Sequence, residues 1–380
     1  MRVALVGPVY PYRGGIAHYN ALLARALAEH HEVRLFSYRR QYPRWLYPGR
    51  SDKDESKLAL SFPAEFCLEP FWPPSWLHTC ARIDRFAPEL TIIHWWVPFW
   101  ATCTGSVLRV LRRRGLRTVC ICHNILPHER RPLDKLMVKW ALEPATWLLV
   151  HSHADKRVAE SLIAGAKVFV HPHPSYSQLV QGLPSKEQAR AALGIHERRV
   201  LLFFGLVRPY KGLRYLLEAL SLLPDKEDLR LIVAGEFWEP LASYQDLAAS
   251  LGIDSIVTWE PRYIPNEELP LYFAACDAVV LPYTQASQSG VIQLAFGAGR
   301  PVITTNVGGL PEVVEEGRTG LLVPPGDAQA LAECIAQFFA NRFGPVLEER
   351  LRQHASSFSW AHMVRVLENL DTATQAIAQL

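Results

Sequence analysis

Short apolar runs alternate with helix-length amphipathic stretches along the whole chain. In the first half, strand-like runs lie at residues 3–6, 33–36, 90–94, 118–122 and 147–150, and residues 16–29 have the periodicity of an amphipathic helix. In the second half, strand-like runs lie at residues 200–205, 231–234, 255–259, 278–281, 301–304 and 320–323. This alternation is typical of βαβ units around parallel sheets, and it predicts an α/β fold of two doubly wound domains.

The chain length and the proline positions set the expected domain boundaries. A chain of 380 residues is longer than one hydrophobic core usually serves. Paired prolines after His171 end the last strand of the first half, so we expect a first domain over residues 1–175 and a second over residues 176–355. We expect residues 356–380 to form a C-terminal helix that packs back on the first domain.

The net charge of +3 is divided unevenly between the two halves. Residues 1–180 contain 24 basic and 14 acidic side chains, whereas residues 181–380 contain 16 basic and 23 acidic ones. The basic surplus of the first half suits a membrane surface, a lipid phosphate or a nucleic acid, and equally a solvated face without a partner. Because the chain has no recognition-helix, zinc or RNA-binding motif, we expect no nucleic-acid partner.

Cysteine usage and hydropathy predict a cytoplasmic protein. The seven cysteines are scattered and odd in number, unlike a secreted disulfide framework. Met1 leads directly into a strand without a leader, and no apolar run approaches the ~20 residues of a spanning helix, so membrane contact would be peripheral, at the inner face. The pattern over residues 133–142 predicts a helix that either lies on an anionic membrane or is solvated. Its basic residues are Arg130, Arg131, Lys135 and Lys139.

The strongest candidate chemistry follows the strand predicted at residues 200–205. Gly205 opens a loop that carries Arg208 and Lys211 before the next helix. Parallel sheets bind ligands at the carboxyl ends of their strands, and charge-assisted bonds to phosphate contribute about 1.5–3 kcal/mol each. This loop therefore predicts a diphosphate site, although two surface cations at the start of a helix would have the same sequence.

Two further loops are expected at the same edge of the sheet. Gln288, Ser289 and Gly290 stand before a helical pattern, where free N–H groups and a small residue form a phosphate cradle or, equally, an ordinary helix cap. Glu312 follows Gly308 and Gly309, and its carboxylate could accept bonds from sugar hydroxyls or favour the first turn of a helix.

In the first half, the candidates are a paired-glycine turn and a histidine. Gly14 and Gly15 follow the first strand beside Arg13, but the full dinucleotide fingerprint is absent. His123 follows the strand at residues 118–122, so it should project from the carboxyl end of the sheet toward an interdomain cleft. A histidine there can orient a sugar or exchange protons, or it can be a structural histidine.

Three other patterns are weaker. Cys120, Cys122 and His123 resemble metal ligands, but strand alternation separates the histidine from both cysteines. Asp52 and Asp54 form an Asp-x-Asp pattern in a polar loop, which we interpret as surface. The aromatic stretch from His94 to Trp100, with Trp72 and Trp76, could form an apolar acceptor pocket, although tryptophans at strand ends are more often core or rim.

At these residues the sequence resembles the retaining glycosyltransferases of family 4, which have the GT-B fold of two facing Rossmann-like domains. The resemblance covers nearly the whole chain and implies a nucleotide-diphosphate sugar as donor, with no obligatory metal or other cofactor. It places Gly14 and Gly15 near the donor phosphates and acceptor, His123 beside the donor sugar, and Lys211 on the diphosphate. It also implies that backbone around Arg262, Tyr263 and Ile264 reads the base. The supporting motifs are Gly14-Gly15, Phe204 to Gly212, Gly299 to Ile303, Gly308 to Val313 and Phe358 to Trp360.

The chain departs from the family pattern at two places. The family has Arg after the glycine that matches Gly205, whereas this chain has Leu206, and Arg208 is the inferred substitute. The family's two glutamates separated by seven residues correspond by spacing to Gln285 and Gln293, while an alignment anchored on Gly299 sets Leu294 at the second position. In the alignment by spacing, the amides of Gln285 and Gln293 replace the carboxylates that face the donor sugar and the ribose.

The resemblance implies retaining transfer of a sugar to a hydroxyl acceptor, either a saccharide or a lipid-linked one, in bacterial-type polysaccharide or glycolipid synthesis. The cations and the loop at Ser289 and Gly290 would neutralise the departing diphosphate. A catalytically inactive sugar-nucleotide-binding protein is the alternative, because the acidic pair is missing.

Overall fold

The computed structural model describes residues 1–42, 51–58, 60–127, 131–341, 343–354 and 359–370. The chain divides into two compact units: the first comprises residues 1–55, 59–172 and 359–380, and the second comprises residues 56–58 and 173–358. Arg130, named above with the basic helix, lies outside the described residues.

The first unit is built on a parallel sheet in the order β3-β2-β1-β4-β5-β6-β7. The five strands predicted for this half are confirmed to within two residues at either end. Strands β3 and β7 were not predicted: β3 has three of its five residues partly or fully exposed, and β7 is only three residues long. The strands are β1 Arg2–Val6, β2 Glu32–Tyr38, β3 Ala64–Leu68, β4 Leu90–Trp95, β5 Thr118–Cys122, β6 Trp147–Val150 and β7 Val168–Val170.

Helices connect these strands, and a helix from the end of the chain completes the first unit. This helix, α13, packs against α1, with the Tyr19 and Trp360 ring centroids 4.9 Å apart, and His31, in the turn after α1, has its Nε2 2.8 Å from Glu368 Oε1. The C-terminal segment therefore belongs to the first unit. The helices are α1 Gly15–Ala28, α2 Pro73–Phe86, α3 Ala101–Arg113, α4 Asp134–Leu142, α5 His153–Leu162 and α13 Trp360–Glu368.

The second unit is built on a parallel sheet in the order β10-β9-β8-β11-β12-β13. All six strands predicted for this half are present. The strands are β8 Arg199–Phe204, β9 Leu229–Ala234, β10 Val257–Glu260, β11 Ala278–Leu281, β12 Val302–Thr305 and β13 Gly320–Val323. The helices are α6 Lys186–Ala192, α7 Leu213–Leu222, α8 Leu241–Ser250, α9 Leu269–Ala275, α10 Gly290–Gly297, α11 Ala328–Ala340 and α12 Phe343–His354.

The strand orders confirm the predicted α/β class and locate one switch point in each sheet. In the first unit the chain leaves β1 for β2 on one side and later returns to β4 on the other. In the second unit it leaves β8 for β9 and returns to β11. Open α/β sheets bind ligands outside the carboxyl ends of the strands at such a point. We therefore expect the ligand-binding residues in the loops after β1, β4, β8 and β11.

Candidate active site

In the second unit, the loops after β8 and β11 are held together by backbone contacts. Thr284 donates to the carbonyl of Tyr210 from both its amide, at 2.8 Å, and its hydroxyl, at 3.2 Å. A Cβ on Gly212 would lie 2.0 Å from the Pro282 carbonyl oxygen, and Gly212 has φ 69°. Only glycine permits this approach, so the two loops have a fixed relative position.

The loop after β12 is tied to the same structure. Gly309 N–H donates to Ser287 O at 3.2 Å, and Gln288 Nε2 donates to Gly309 O at 3.0 Å. A Cβ on Gly308 would lie 1.6 Å from the Ala286 carbonyl oxygen, and φ there is 55°. Three loops from one sheet edge therefore form a preorganised surface.

Lys211 supplies a cation to this surface. It lies in a 3-10 turn, Pro209–Lys211, just before α7. Its Nζ is 5.3 Å from the Tyr283 ring centroid, and within the described ranges no acidic side chain forms an ion pair with it. Burial, together with the nearby positive charge of Arg208, lowers the pKa of Lys211. A half-buried ammonium without a counter-ion is suited to an anionic ligand.

Arg208 is held by aromatic rings of two loops. Its guanidinium carbon is 5.1 Å from the Trp238 ring centroid and 5.7 Å from that of Tyr210. Trp238 belongs to the loop after β9, and its amide donates to Val207 O at 3.1 Å. Stacking on aromatic faces orients a guanidinium while leaving its N–H edge directed outward. Trp238 was not predicted as a site residue, because a lone tryptophan after a strand has no distinctive spacing.

Helix α10 starts beside Lys211. Ser289 is its N-cap and Gly290 its first residue, and Tyr283 Oη lies 3.4 Å from Ser289 Oγ. The two features meet around Gly205: a Cβ there would lie 3.3 Å from Lys211 Nζ and 3.5 Å from Val291 Cγ2. The first turn of a helix presents N–H groups and a positive dipole end, so an ammonium and a helix N-terminus converge on one small volume.

The two glutamines that match the family spacing have different surroundings. The side chain of Gln285 is exposed. Gln293 is fully buried, and neither its amide nitrogen nor its amide oxygen has a hydrogen-bond partner within the described chain. A buried amide without partners is costly, so its retention needs a reason other than stability.

The remaining second-unit candidates lie farther along the same edge. Arg262 follows β10 and pairs with Glu268, the two charged ends being 2.5 Å apart, which raises its pKa above the usual range. Its side chain is therefore already engaged, which leaves the backbone as the group that could read a base. Tyr263 is half-buried, Ile264 is buried, and Glu312 is exposed in the 3-10 turn after β12.

In the first unit, the structure places the candidates around the switch point of its sheet. Gly14 is the N-cap of α1 with φ 106°, whereas Gly15 is the exposed first residue of that helix. His123 follows β5, is half-buried, and lies 3.0 Å through Nε2 from His94 Nδ1. The contact between His94 and His123 was not predicted, because in the sequence His94 stands out only as part of an aromatic stretch.

One other interpretation of the first half is wrong, and one open alternative is decided. Asp54 is not a surface residue: it is buried, and its carboxylate lies 3.4 Å from His18 Nε2. In the aromatic stretch, Trp95 and Trp100 belong to the core, and Trp96 is buried and donates to Tyr42 Oη. The exposed aromatics are instead Phe71 and Trp72 in the loop before α2, at 60% and 58% exposure.

Helix α4 has a second apolar face that the unit does not bury. Val138, Ala141 and Leu142 face the core, whereas Leu133, Leu136 and Trp140 are exposed at positions separated by three and four residues. The Arg109 guanidinium lies 4.1 Å from the Trp140 ring centroid. Exposed basic residues of α3 and α4 are Arg112, Arg113, Lys135 and Lys139. None of the described helices is both long and apolar enough to cross a bilayer.

Solved structures of other proteins have the same fold. Sucrose-phosphate synthase from Thermosynechococcus elongatus superimposes with a TM-score of 0.76 at 22% identity, covering 99% of both chains. Anabaena HepE in complex with UDP gives 0.75 at 18% identity and covers all of both chains. These neighbours define the class of fold as that of the GT-B glycosyltransferases.

Sequence comparison identifies the family. Residues 13–174 match Glycosyltransferase Family 4, and residues 198–341 match Glycosyl transferases group 1. Together the two models cover most of the chain, which therefore belongs to the family of glycosyltransferases that they describe, as the resemblance predicted.

Curated relatives include D-inositol 3-phosphate glycosyltransferases of several bacteria. That of Corynebacterium efficiens is 33% identical over 198 residues, which are 48% of this chain and 45% of the relative. That of Streptomyces avermitilis is 32% identical over 261 residues, 65% of this chain and 51% of the relative. The chain spans about half the length of the curated relatives that it matches.

Proposed function

We propose that this protein is a retaining glycosyltransferase that transfers a sugar from a nucleotide-diphosphate sugar to a hydroxyl acceptor. The observation that carries the proposal is the convergence of Lys211 Nζ and the first turn of α10 around Gly205, at the switch point of the second sheet. Such a site is matched to a diphosphate, and family membership supplies the reaction class. UDP-sugars are the first donors to test, because the structural neighbour HepE binds UDP and UDP-glucose.

Each group at the site has a role in that reaction. Lys211 and Arg208 bind the diphosphate, Gln288, Ser289 and Gly290 cradle it, and Gly205 leaves room for it. As the bond between the sugar C1 and the phosphate oxygen breaks, negative charge grows on the diphosphate, and fixed cations stabilise that charge more than they stabilise the intact donor. Two cations and a helix terminus can supply this stabilisation, so we expect turnover to need no added metal.

The remaining residues bind the organic parts of the substrates. Gln285 and Glu312 contact the donor sugar, Gln293 contacts the ribose, and backbone around Arg262, Tyr263 and Ile264 contacts the base. In the first unit, Gly14 and Gly15 leave space for phosphate and acceptor, and His123 orients the sugar. Retention requires the acceptor hydroxyl to attack C1 on the face that the diphosphate leaves, and the departing phosphate oxygen takes the hydroxyl proton.

A panel of UDP-, GDP- and ADP-sugars, each with magnesium and with a chelator, tests this proposal. Tight binding of one nucleotide class, release of the nucleoside diphosphate, and indifference to metal are the expected results. A catalytically inactive binding protein, the alternative that the missing acidic pair favours, would bind a donor without releasing the nucleoside diphosphate with any acceptor. Failure of every donor to bind would contradict both.

We also propose that the exposed face of α4 rests on an anionic lipid surface, in keeping with a lipid-linked acceptor at the cytoplasmic face of a membrane. Leu133, Leu136 and Trp140 form an apolar stripe, the Arg109 guanidinium lies over the Trp140 ring, and Lys135 and Lys139 are exposed on the same helix. Interfacial helices have this combination, because apolar side chains enter the headgroup region while cations meet lipid phosphates. Partitioning into phosphatidylglycerol vesicles but not phosphatidylcholine vesicles is expected.

A further inference from the structure

Three polar side chains of the first unit form a hydrogen-bonded chain at the switch point of its sheet. Asn20 projects from α1, His94 from β4, and His123 from the end of β5. Asn20 Oδ1 lies 2.9 Å from His94 Nε2, and His94 Nδ1 lies 3.0 Å from His123 Nε2. The two imidazole planes are inclined by only 15°. Both Asn20 and His94 are fully buried.

The hydrogen bonds of Asn20 determine where each proton of this hydrogen-bonded series lies. Asn20 Nδ2 donates to the Pro8 carbonyl at 2.9 Å, so the amide oxygen is the atom that faces His94. An amide oxygen can only accept, and His94 Nε2 must therefore carry a proton. Burial lowers the pKa of His94 to about 3, so its ring is neutral near pH 7 and Nδ1 is a lone pair. His123 Nε2 must then be the donor in the contact between the two histidines.

The surroundings hold these groups in place. A Cβ on Gly7 would lie 2.7 Å from His94 Cδ2, so this glycine, which directly follows β1, leaves the space that His94 occupies. Among the described residues, Tyr19 on α1 and His151 after β6 are titratable groups that face the pair. The Tyr19 ring centroid is 5.6 Å from that of His94 and 4.8 Å from that of His123, and the His151 centroid is 5.6 Å from that of His123.

We infer that Asn20 and His94 are positioning residues that fix the tautomer of His123, so that neutral His123 presents Nδ1 as a hydrogen-bond acceptor. This inference rests on the proposed role of His123 toward the sugar and specifies it. A sugar hydroxyl bound at His123 donates to Nδ1 and does not accept from it. In a neutral histidine, the partner of one ring nitrogen determines which nitrogen carries the proton. Here Asn20 determines the tautomer of His94, and His94 in turn determines the tautomer of His123.

The tautomers can be measured without a substrate. Two-bond 1H–15N correlation spectra of protein labelled at histidine distinguish protonated from unprotonated ring nitrogens, and His94→Asn and His123→Asn assign the two rings. The expected result at alkaline pH, where histidine rings are neutral, is Nε2–H with unprotonated Nδ1 for both. A proton on Nδ1 of neutral His123 would overturn the inference, whatever the protein catalyses.

Asn20→Asp tests the coupling. A carboxylate favours the imidazolium form of His94, which then donates from both nitrogens, so neutral His123 must move its proton to Nδ1. We expect kcat/KM to fall about tenfold, the equivalent of one hydrogen bond. Activity should recover as pH rises through the raised pKa of His94, because neutral His94 restores the original arrangement. Asn369→Asp adds the same charge elsewhere in the unit and should change neither tautomer nor pH profile.

The outcomes separate the two proposals. Unchanged tautomers in Asn20→Asp, or a loss of activity that pH does not reverse, would contradict the coupling. If the wild type turns over no nucleotide sugar, the proposed function fails, while the spectra still decide the tautomers. If Asn20→Asp does not fold, the wild-type spectra alone remain decisive.

Discussion

Replacing Lys211 by Met should weaken nucleotide binding and stabilise the free protein. The ammonium is beside the start of α10 and, within the described residues, pairs with no acidic side chain. A charge-assisted hydrogen bond contributes about 1.5–3 kcal/mol, and 1.4 kcal/mol is tenfold in affinity, so the Kd for UDP should rise about 10- to 150-fold. Titration calorimetry measures this change.

Stability should change in the opposite direction. Burial and Arg208 lower the pKa of Lys211, so between that lowered pKa and the ordinary value of 10.5 the unfolded state binds more protons at this residue than the folded state does. Lys211 therefore destabilises the folded protein below its lowered pKa, and this cost disappears as pH rises toward 10.5. Lys211→Met should unfold at a higher temperature than the wild type at pH 7, and the difference should shrink at higher pH.

Arg214→Met is the matched control, because Arg214 is an exposed cation of α7 that already pairs with Glu218. It should leave the affinity for UDP unchanged. If Lys211→Met bound UDP with wild-type affinity, whether magnesium or a chelator is present, the assignment of this ammonium to the diphosphate would be refuted. An unfolding temperature below that of the wild type would refute the claim that its charge is uncompensated in the free protein.

Three further predictions follow from the second unit and from α4. Gly308→Ala places a Cβ 1.6 Å from the Ala286 carbonyl at a positive φ, so calorimetry should show weaker UDP binding and an unfolding temperature lower by several degrees, whereas Gly344→Ala, whose Cβ would be in ordinary contact, should show neither. Gln293→Met removes a buried unpartnered amide, so thermal unfolding should shift upward by several degrees while UDP affinity falls about 2- to 12-fold; unchanged affinity would remove Gln293 from the donor site. Leu136→Ser should reduce partitioning into anionic vesicles about tenfold or more, since burying a leucine contributes about 1.5–3 kcal/mol, and Leu222→Ser, an exposed leucine of the second unit, should not. Equal partitioning of both leucine variants would contradict the α4 surface.

Periodicity predicted the sheets well because buried parallel strands are continuous apolar runs. The runs at residues 118–122 and 278–281 match β5 and β11 to the residue. Strand β3 escaped because its side chains are mostly not buried, so it lacks the apolar signal that periodicity detects.

The loop chemistry was predictable only in part. Arg208 and Lys211 could be predicted, because two cations directly after a buried parallel strand indicate an anion-binding site at the carboxyl end of the sheet. The packing of Arg208 on Trp238, and the chain from Asn20 through His94 to His123, join residues that are far apart in sequence. No local spacing encodes such contacts. The burial of Asp54 likewise depends on His18 of another element.

Hydrolysis of UDP-α-glucose, GDP-α-mannose and ADP-α-glucose, followed by proton NMR before the released sugar mutarotates, tests the central claim most directly. Water replaces the unknown acceptor in this experiment, and the anomeric signal reports stereochemistry. The proposal predicts release of one nucleoside diphosphate together with the α-anomer, at a rate that falls in Lys211→Met. Release of the β-anomer would contradict retention, and the absence of release from all three donors would contradict the transferase itself.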